Sequence, residues 1–169
     1  MNKVHHPNSE YPGFLIRRLQ QLSSANFMNS LRDFQLTPIQ YTILRVLEDN
    51  PGIDQRTVAI HAALDTSTTT DVLRRLASRK LVSRTQGLID KRIRIVRLTK
   101  SGQKLLETVR PIVGKARREL LSPLSPAKQE TVIVSIITLL EAYAHEQANE
   151  EENETAQMRP AGRPWKRGK

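Results

Sequence analysis

The stretch Leu64 to Leu98 constrains the fold of this chain more than any other, because a helical pattern passes there directly into a basic two-strand pattern. The small hydroxyl residues Thr66, Ser67, Thr68, Thr69 and Thr70 open a helical run, Asp71 to Lys80. Val72, Leu73 and Leu76 share one side of that run and Arg74, Arg75 and Arg79 the other, so one face seeks a core and the opposite face is cationic. Leu81 to Gln86 then reads as a strand, Gly87 to Asp90 as a turn and Lys91 to Thr99 as a second strand, with Arg84, Lys91, Arg92, Arg94 and Arg97 along the ribbon. A helix followed by a basic hairpin is the outline of a winged helix-turn-helix.

Charge supports a polyanionic partner. Between Arg74 and Glu119 there are 15 Lys or Arg and 3 acids, a local net of +12 in a chain whose total is +10. Each cation placed on a phosphate releases condensed counterions, so a field this concentrated reads as a nucleic-acid footprint. The chain has no Cys, which excludes disulfides, Cys-based zinc sites and thiol sensing, and points to a cytoplasmic protein. No run of about 18 apolar residues is present, so no membrane partner is expected. His5 and His6 stand alone as metal ligands, and neither a metal nor another cofactor is expected. Glycine loops for phosphates, His/Cys pairs and serine elbows are missing, and with them the common enzyme classes.

The flanking segments are helical. After a flexible N-terminus, 1–10, Tyr11 to Asp33 carries Leu15, Leu19, Leu22, Met28 and Leu31 at helical spacing and makes 11–35 a dimerisation helix. Thr37-Pro38-Ile39-Gln40 supplies an N-cap, a first-turn proline and a capping-box partner for a second helix, which Asn50-Pro51-Gly52 ends. Asp54 caps a short third helix, Gln55 to Ala62, and Ala63 to Asp65 forms the tight turn before the recognition helix. The winged DNA-binding domain therefore spans 36–99.

Thr99 caps a long helix kinked by Pro111, and after Ser122-Pro123-Leu124-Ser125-Pro126 a last helix runs from Ala127 to about Glu146. The two terminal helices, 100–146, carry more apolar surface than a small winged domain covers, which points to a homodimer. The remainder, 147–169, is acidic and then basic and reads as a disordered tail. Its Gly162-Arg163-Pro164 is similar to short hooks that lie in A·T-rich minor grooves. The fold class is mainly α with a small β-wing, a winged helix-turn-helix between N- and C-terminal dimerisation helices.

On this reading the DNA contacts are Ser67, Thr68, Thr69 and Thr70 on the first turn of the recognition helix, Arg74, Arg75 and Arg79 behind them, and Arg84, Lys91, Arg92 and Arg94 on the wing. A first turn in the major groove reaches base edges and attracts phosphate, while Arg92 at the ribbon tip suits a minor groove.

The order of elements and the motifs Leu36 to Tyr41, Leu64 to Leu76, Asp90-Lys91-Arg92 and Val96-Arg97-Leu98-Thr99 with Gly102 resemble the MarR family of bacterial transcriptional regulators, over roughly Tyr11 to Glu146. That resemblance implies a two-fold dimer on a pseudo-palindromic DNA operator, usually as a repressor. The chain departs from the family at Lys80, where a glycine is usual, and at Asp71, where many members carry Arg. Gly52 to Ala59 and Asp65 to Thr70 are similar to regulators of aromatic-acid catabolism, including nicotinate degradation, which implies a small aromatic carboxylate such as a hydroxynicotinate as effector. Such an acid needs a cation, from Arg17 or Arg18, and ring contacts, from Phe14, Tyr41 and His61. An architectural DNA-binding protein with no effector is the alternative.

Overall fold

The computed structural model describes residues 11–87 and 90–157, with side chains as far as Ala144. In chain order it contains α1 (Pro12–Ser30), a 3-10 turn (Arg32–Phe34), α2 (Pro38–Asp49), α3 (Gln55–His61), α4 (Thr66–Ser78), β1 (Val82–Gln86), β2 (Arg94–Leu98), α5 (Lys100–Leu121) and α6 (Pro126–Gln157). The chain divides after Leu121 into two compact units.

In the first unit, α2, α3, α4 and the strands enclose a single apolar core. Leu31, Ile43, Leu44, Leu73, Leu76 and Val96 are fully buried, each worth about 1.5 to 3 kcal/mol of transfer free energy. The expected capping box starts α2: the amide of Gln40 donates to Thr37 Oγ1 at 3.2 Å and the amide of Thr37 to Gln40 Oε1 at 3.1 Å. Gly52, at φ 80°, makes the bend after α2 that only a residue without Cβ enters freely. β1 and β2 pair antiparallel from Val82 opposite Leu98 to Gln86 opposite Arg94. A third, unforeseen strand-like contact joins them, because the amide of Val96 donates to the Ile53 carbonyl at 2.9 Å and Asp54 bridges to Ile95.

Several boundaries differ from the sequence reading. The first helix stops at Ser30, since Leu31 turns into the core and the chain tightens into the 3-10 turn. The second strand begins at Arg94 rather than Lys91. The Asp90 carboxylate accepts from the Arg92 amide at 2.8 Å and its carbonyl from the Ile93 amide at 3.1 Å, which holds 90–93 in the turn. α5 runs without interruption through Pro111. Pro111 and Glu107 are both exposed, so the carbonyl that loses its helical partner is within reach of water.

The root of α5 is fastened to the end of α4. The Thr99 amide and hydroxyl both donate to the Leu81 carbonyl, at 3.1 and 3.0 Å, and the hydroxyl is 2.7 Å from the Lys80 carbonyl. Gly102 lies so close that a Cβ there would stand 2.2 Å from the Leu81 oxygen.

The described part of the second unit is built on one helix, α6. It was expected to end near Glu146 and instead continues to Gln157, through the acidic run placed in the tail. Ala148, Glu150, Glu151, Glu152, Glu154 and Ala156 are good helix formers, and no Gly or Pro intervenes before Pro160. The basic end 158–169, with its Gly-Arg-Pro motif, lies outside the described residues, as do 1–10. No helix is long and apolar enough to cross a membrane among the described residues.

Candidate nucleic-acid interface

α3 and α4 form the helix-turn-helix, and each begins on an aspartate. Asp54 Oδ1 accepts from the amides of Arg56 and Thr57 at 2.8 and 3.1 Å. Asp65 Oδ1 accepts from the Thr68 amide at 2.8 Å and the Ser67 hydroxyl at 2.5 Å, and Oδ2 from the Thr68 hydroxyl at 2.6 Å. The Thr57 hydroxyl chiefly holds the Asp54 carboxyl below the usual range, and the Ser67 and Thr68 hydroxyls hold Asp65 far below it. Between the helices, Ala63 takes φ 51°, and the amides of Ala63 and Leu64 return to the carbonyls of Ile60 and Ala59. This is a Schellman turn built without glycine. A second one ends α4, where Lys80 sits at φ 57° and the amides of Lys80 and Leu81 reach back to Ala77 and Leu76.

The hydroxyl cluster divides on inspection. Thr69 is wholly buried and its hydroxyl donates to the Asp65 carbonyl at 2.9 Å, so it is a core residue and not a base reader. The sequence held the signal, since Thr69 precedes Leu73 and Leu76 by one and two helical turns. Ser67 and Thr68 serve the Asp65 cap. Thr70 donates to the Thr66 carbonyl at 2.8 Å and accepts from Gln55 Nε2. The outer face of α4 is therefore Thr66, Ser67, Asp71, Arg74, Arg75 and Ser78, all exposed. Arg74 Nη2 lies 2.9 Å from Asp71 Oδ1.

Arg79 leaves this face. Its guanidinium donates to the carbonyls of Gln35 and Phe34 at 2.7 and 2.9 Å, tying the end of α4 to the 3-10 turn. Arg84 on β1 donates to Gln55 Oε1 at 3.0 Å, so Gln55 links the wing to Thr70 on α4. Lys91, Arg92 and Arg94 are exposed on the wing. Arg92 and Arg94 line a groove of about 460 Å³ with Arg56, Thr66, Asp54 and Gln55, where three cations converge beside the first turn of α4. Arg56 went unnoticed in the sequence, although its place just after the Asp54 cap puts it on the rim. The charge count also changes meaning. Lys100, Lys104, Arg110, Lys115, Arg117 and Arg118 belong to α5, where Arg110 pairs with Glu48 at 2.7 Å and Lys115 with Glu119 at 3.8 Å.

A second concavity, of about 270 Å³, opens between α1, α2 and α5. Phe27 and Tyr41 form its aromatic wall, their ring centroids 5.5 Å apart, with Val113 and Leu120 opposite and Ser23, Asn26, Thr42 and Arg117 as polar groups. Of the five expected effector residues only Tyr41 lines it. Phe14, Arg17 and Arg18 lie earlier on α1, all exposed, with Arg18 bonded to Gln21 at 2.9 Å, and His61 is exposed on α3. The cation on the cavity is Arg117, hidden in the sequence among the other basic residues of α5. No cluster of His, Cys, Asp or Glu suited to a metal exists among the described residues.

Residues 36–93, from just before α2 to just before β2, match the MarR family model. The transcriptional regulator HosA of Escherichia coli O157:H7 is 38% identical over 119 residues, covering 70% of this chain and 86% of HosA. The chain belongs to the MarR family. The repressor NicR of Pseudomonas putida is 28% identical over 134 residues, covering 79% of this chain and 85% of NicR. BpsR of Bordetella bronchiseptica, whose structure concerns regulation of DNA binding by 6-hydroxynicotinic acid, superposes with a TM-score of 0.72 at 31% identity. That superposition covers 80% of this chain and 94% of BpsR.

As a MarR family protein the chain is a DNA-binding transcriptional regulator of the winged-helix type. Two features mark the geometry above: the glycine-free Schellman turns that follow α3 and α4, and the ion pair of Asp71 with Arg74 on the outer face of α4.

Proposed function

We propose that this MarR family chain is a repressor that holds a pseudo-palindromic operator as a homodimer and releases it when a small aromatic carboxylate, with 6-hydroxynicotinate the leading candidate, enters the cavity between α1, α2 and α5. The observation that carries this reading is the composition of that cavity: an aromatic wall of Phe27 and Tyr41 with the basic residue Arg117 among its lining residues. A ring acid needs one flat apolar surface and one cation, and few polar groups besides. The regulated BpsR supports the choice of acid. Recognition helices of a dimer must stand about 34 Å apart to enter successive major grooves, so a ligand wedged between α5 and the helices that carry α3 and α4 can disfavour DNA by holding another spacing.

The test is a thermal-shift titration with 6-hydroxynicotinate, benzoates and nicotinate, followed by anisotropy on a duplex selected by the protein. A binding acid raises the melting temperature with its concentration and releases the duplex. Arg117→Ala should weaken the acid about tenfold or more, as loss of a charge-assisted contact does, and leave DNA affinity unchanged. If no acid in the panel shifts melting or DNA affinity, the sensing role is lost and a regulator without an aromatic effector remains.

A further inference from the structure

We propose that Asp71 reads a cytosine in each half of the operator, with Arg74 holding its carboxylate in place. The inference rests on the operator-reading role proposed above and assigns one base to one side chain.

Asp71 is the one acid within α4, and it lies on the outer face one turn beyond Ser67 and one turn before Arg74 and Arg75. Its side chain is 59% exposed and that of Arg74 is 70% exposed. Oδ1 takes the Arg74 donor at 2.9 Å, while Oδ2 receives no protein donor among the described residues. Helix stability explains little of this. An exposed acid–base pair three residues apart changes a helix equilibrium by a factor of only about two. Asp71 also stands well past the first turn, where the positive end of the helix would favour an acid, and Asp is a poor former of helix interiors.

Against DNA, a carboxylate facing phosphates weakens binding to every sequence alike, and the cost is offset only where the carboxylate meets a donor. In the major groove guanine and thymine present acceptors, and adenine sets its single amine beside the N7 acceptor. Cytosine alone offers an N4 amine without an adjoining acceptor on the same base. Ionised Asp71 can only accept, so it fits cytosine and repels the others. Arg74, with donors to spare beyond the Asp71 contact, matches the guanine N7 and O6 edge of the same or the next pair.

The experiment selects full-length wild type, Asp71→Ala and Asp71→Asn separately against a randomised duplex pool, then measures affinities for the selected sites and single-base variants. Wild type should require C at one position of each half-site, by about tenfold over other bases. Asp71→Ala should lose that preference while binding unselected duplex more tightly, the latter gain fading at high salt. Asp71→Asn should move the preferred base toward adenine, which an amide can bond at both N6 and N7. Identical base preferences in all three proteins, with only a uniform gain in affinity, would overturn the assignment and leave Asp71 as a repulsive charge. Selection of no sequence by wild type would remove the operator-reading role along with it.

Discussion

At the scale of single residues, the turn at Lys80 shows what a departure from a family pattern costs. A side chain in the left-handed region crowds its own carbonyl, yet the Schellman bonds to Leu76 and Ala77 and the burial of Leu81 hold Lys80 there. Lys80→Gly should therefore stabilise the protein by about 1 kcal/mol relative to Lys80→Ala, a comparison that removes the charge from both sides of the measurement. Urea unfolding of the two variants checks it, and equal midpoints would show that the backbone there is not strained. The absence of glycine was legible in the sequence, because the position could be counted from the end of the helix pattern. Thr69 was harder: a hydroxyl among hydroxyls looks like surface until its helical phase with Leu73 and Leu76 is weighed above its polarity. Arg117 was harder still, because a cation on an apolar cavity and a cation in water have the same letter and comparable neighbours.

At the scale of elements, starts of helices were read well and ends less well. Thr37 and Asp54 announce α2 and α3 because a cap is a local arrangement between one side chain and amides two or three residues on, whereas the Asp65 cap of α4 is hidden in a stretch that reads as the turn before the hydroxyl cluster. Helix ends and strand lengths depend on partners far away in sequence, such as Leu31 entering the core, Ile53 pairing beside β2, or Arg79 reaching across to Phe34 and Gln35. Arg79 is thus a brace between α4 and the 3-10 turn. Arg79→Ala should reduce stability by about 1 to 2 kcal/mol, as loss of charge-assisted bonds to carbonyls does, while the salt dependence of DNA binding keeps its slope. A slope lowered by about one, with unchanged stability, would return Arg79 to the phosphate contacts.

At the scale of the molecule, both terminal helices display apolar side chains. On α1, Leu15, Leu19, Leu22 and Met28 are 40–56% exposed, and on α6, Ile133, Ile136, Ile137 and Leu140 are 44–65% exposed. Rows of this kind on helices mark association surfaces, which supports the proposed homodimer and accords with the excess of apolar positions counted in the sequence. Ile137→Glu combined with Leu140→Glu should halve the mass seen by sedimentation. Binding to a full palindrome should fall by about a hundredfold or more, since two linked half-sites gain that much from effective concentration. A double variant that sediments as a dimer would place the association surface elsewhere.

The junction of Thr99 and Gly102 with the turn at Lys80 and Leu81 has a mechanical meaning. With a hydrogen in place of a side chain at Gly102 and Thr99 bonded to both carbonyls, the root of α5 and the root of the wing have no room to slide past each other. A tilt of one would therefore carry the other with it. The strand that projects from this junction has five residues, an arm of about 16 Å, so a tilt of α5 by about 5° would swing the far end of β1 by about 1.4 Å. A displacement too small to open the core at one end of the arm is thus enlarged at the other to half a hydrogen-bond length.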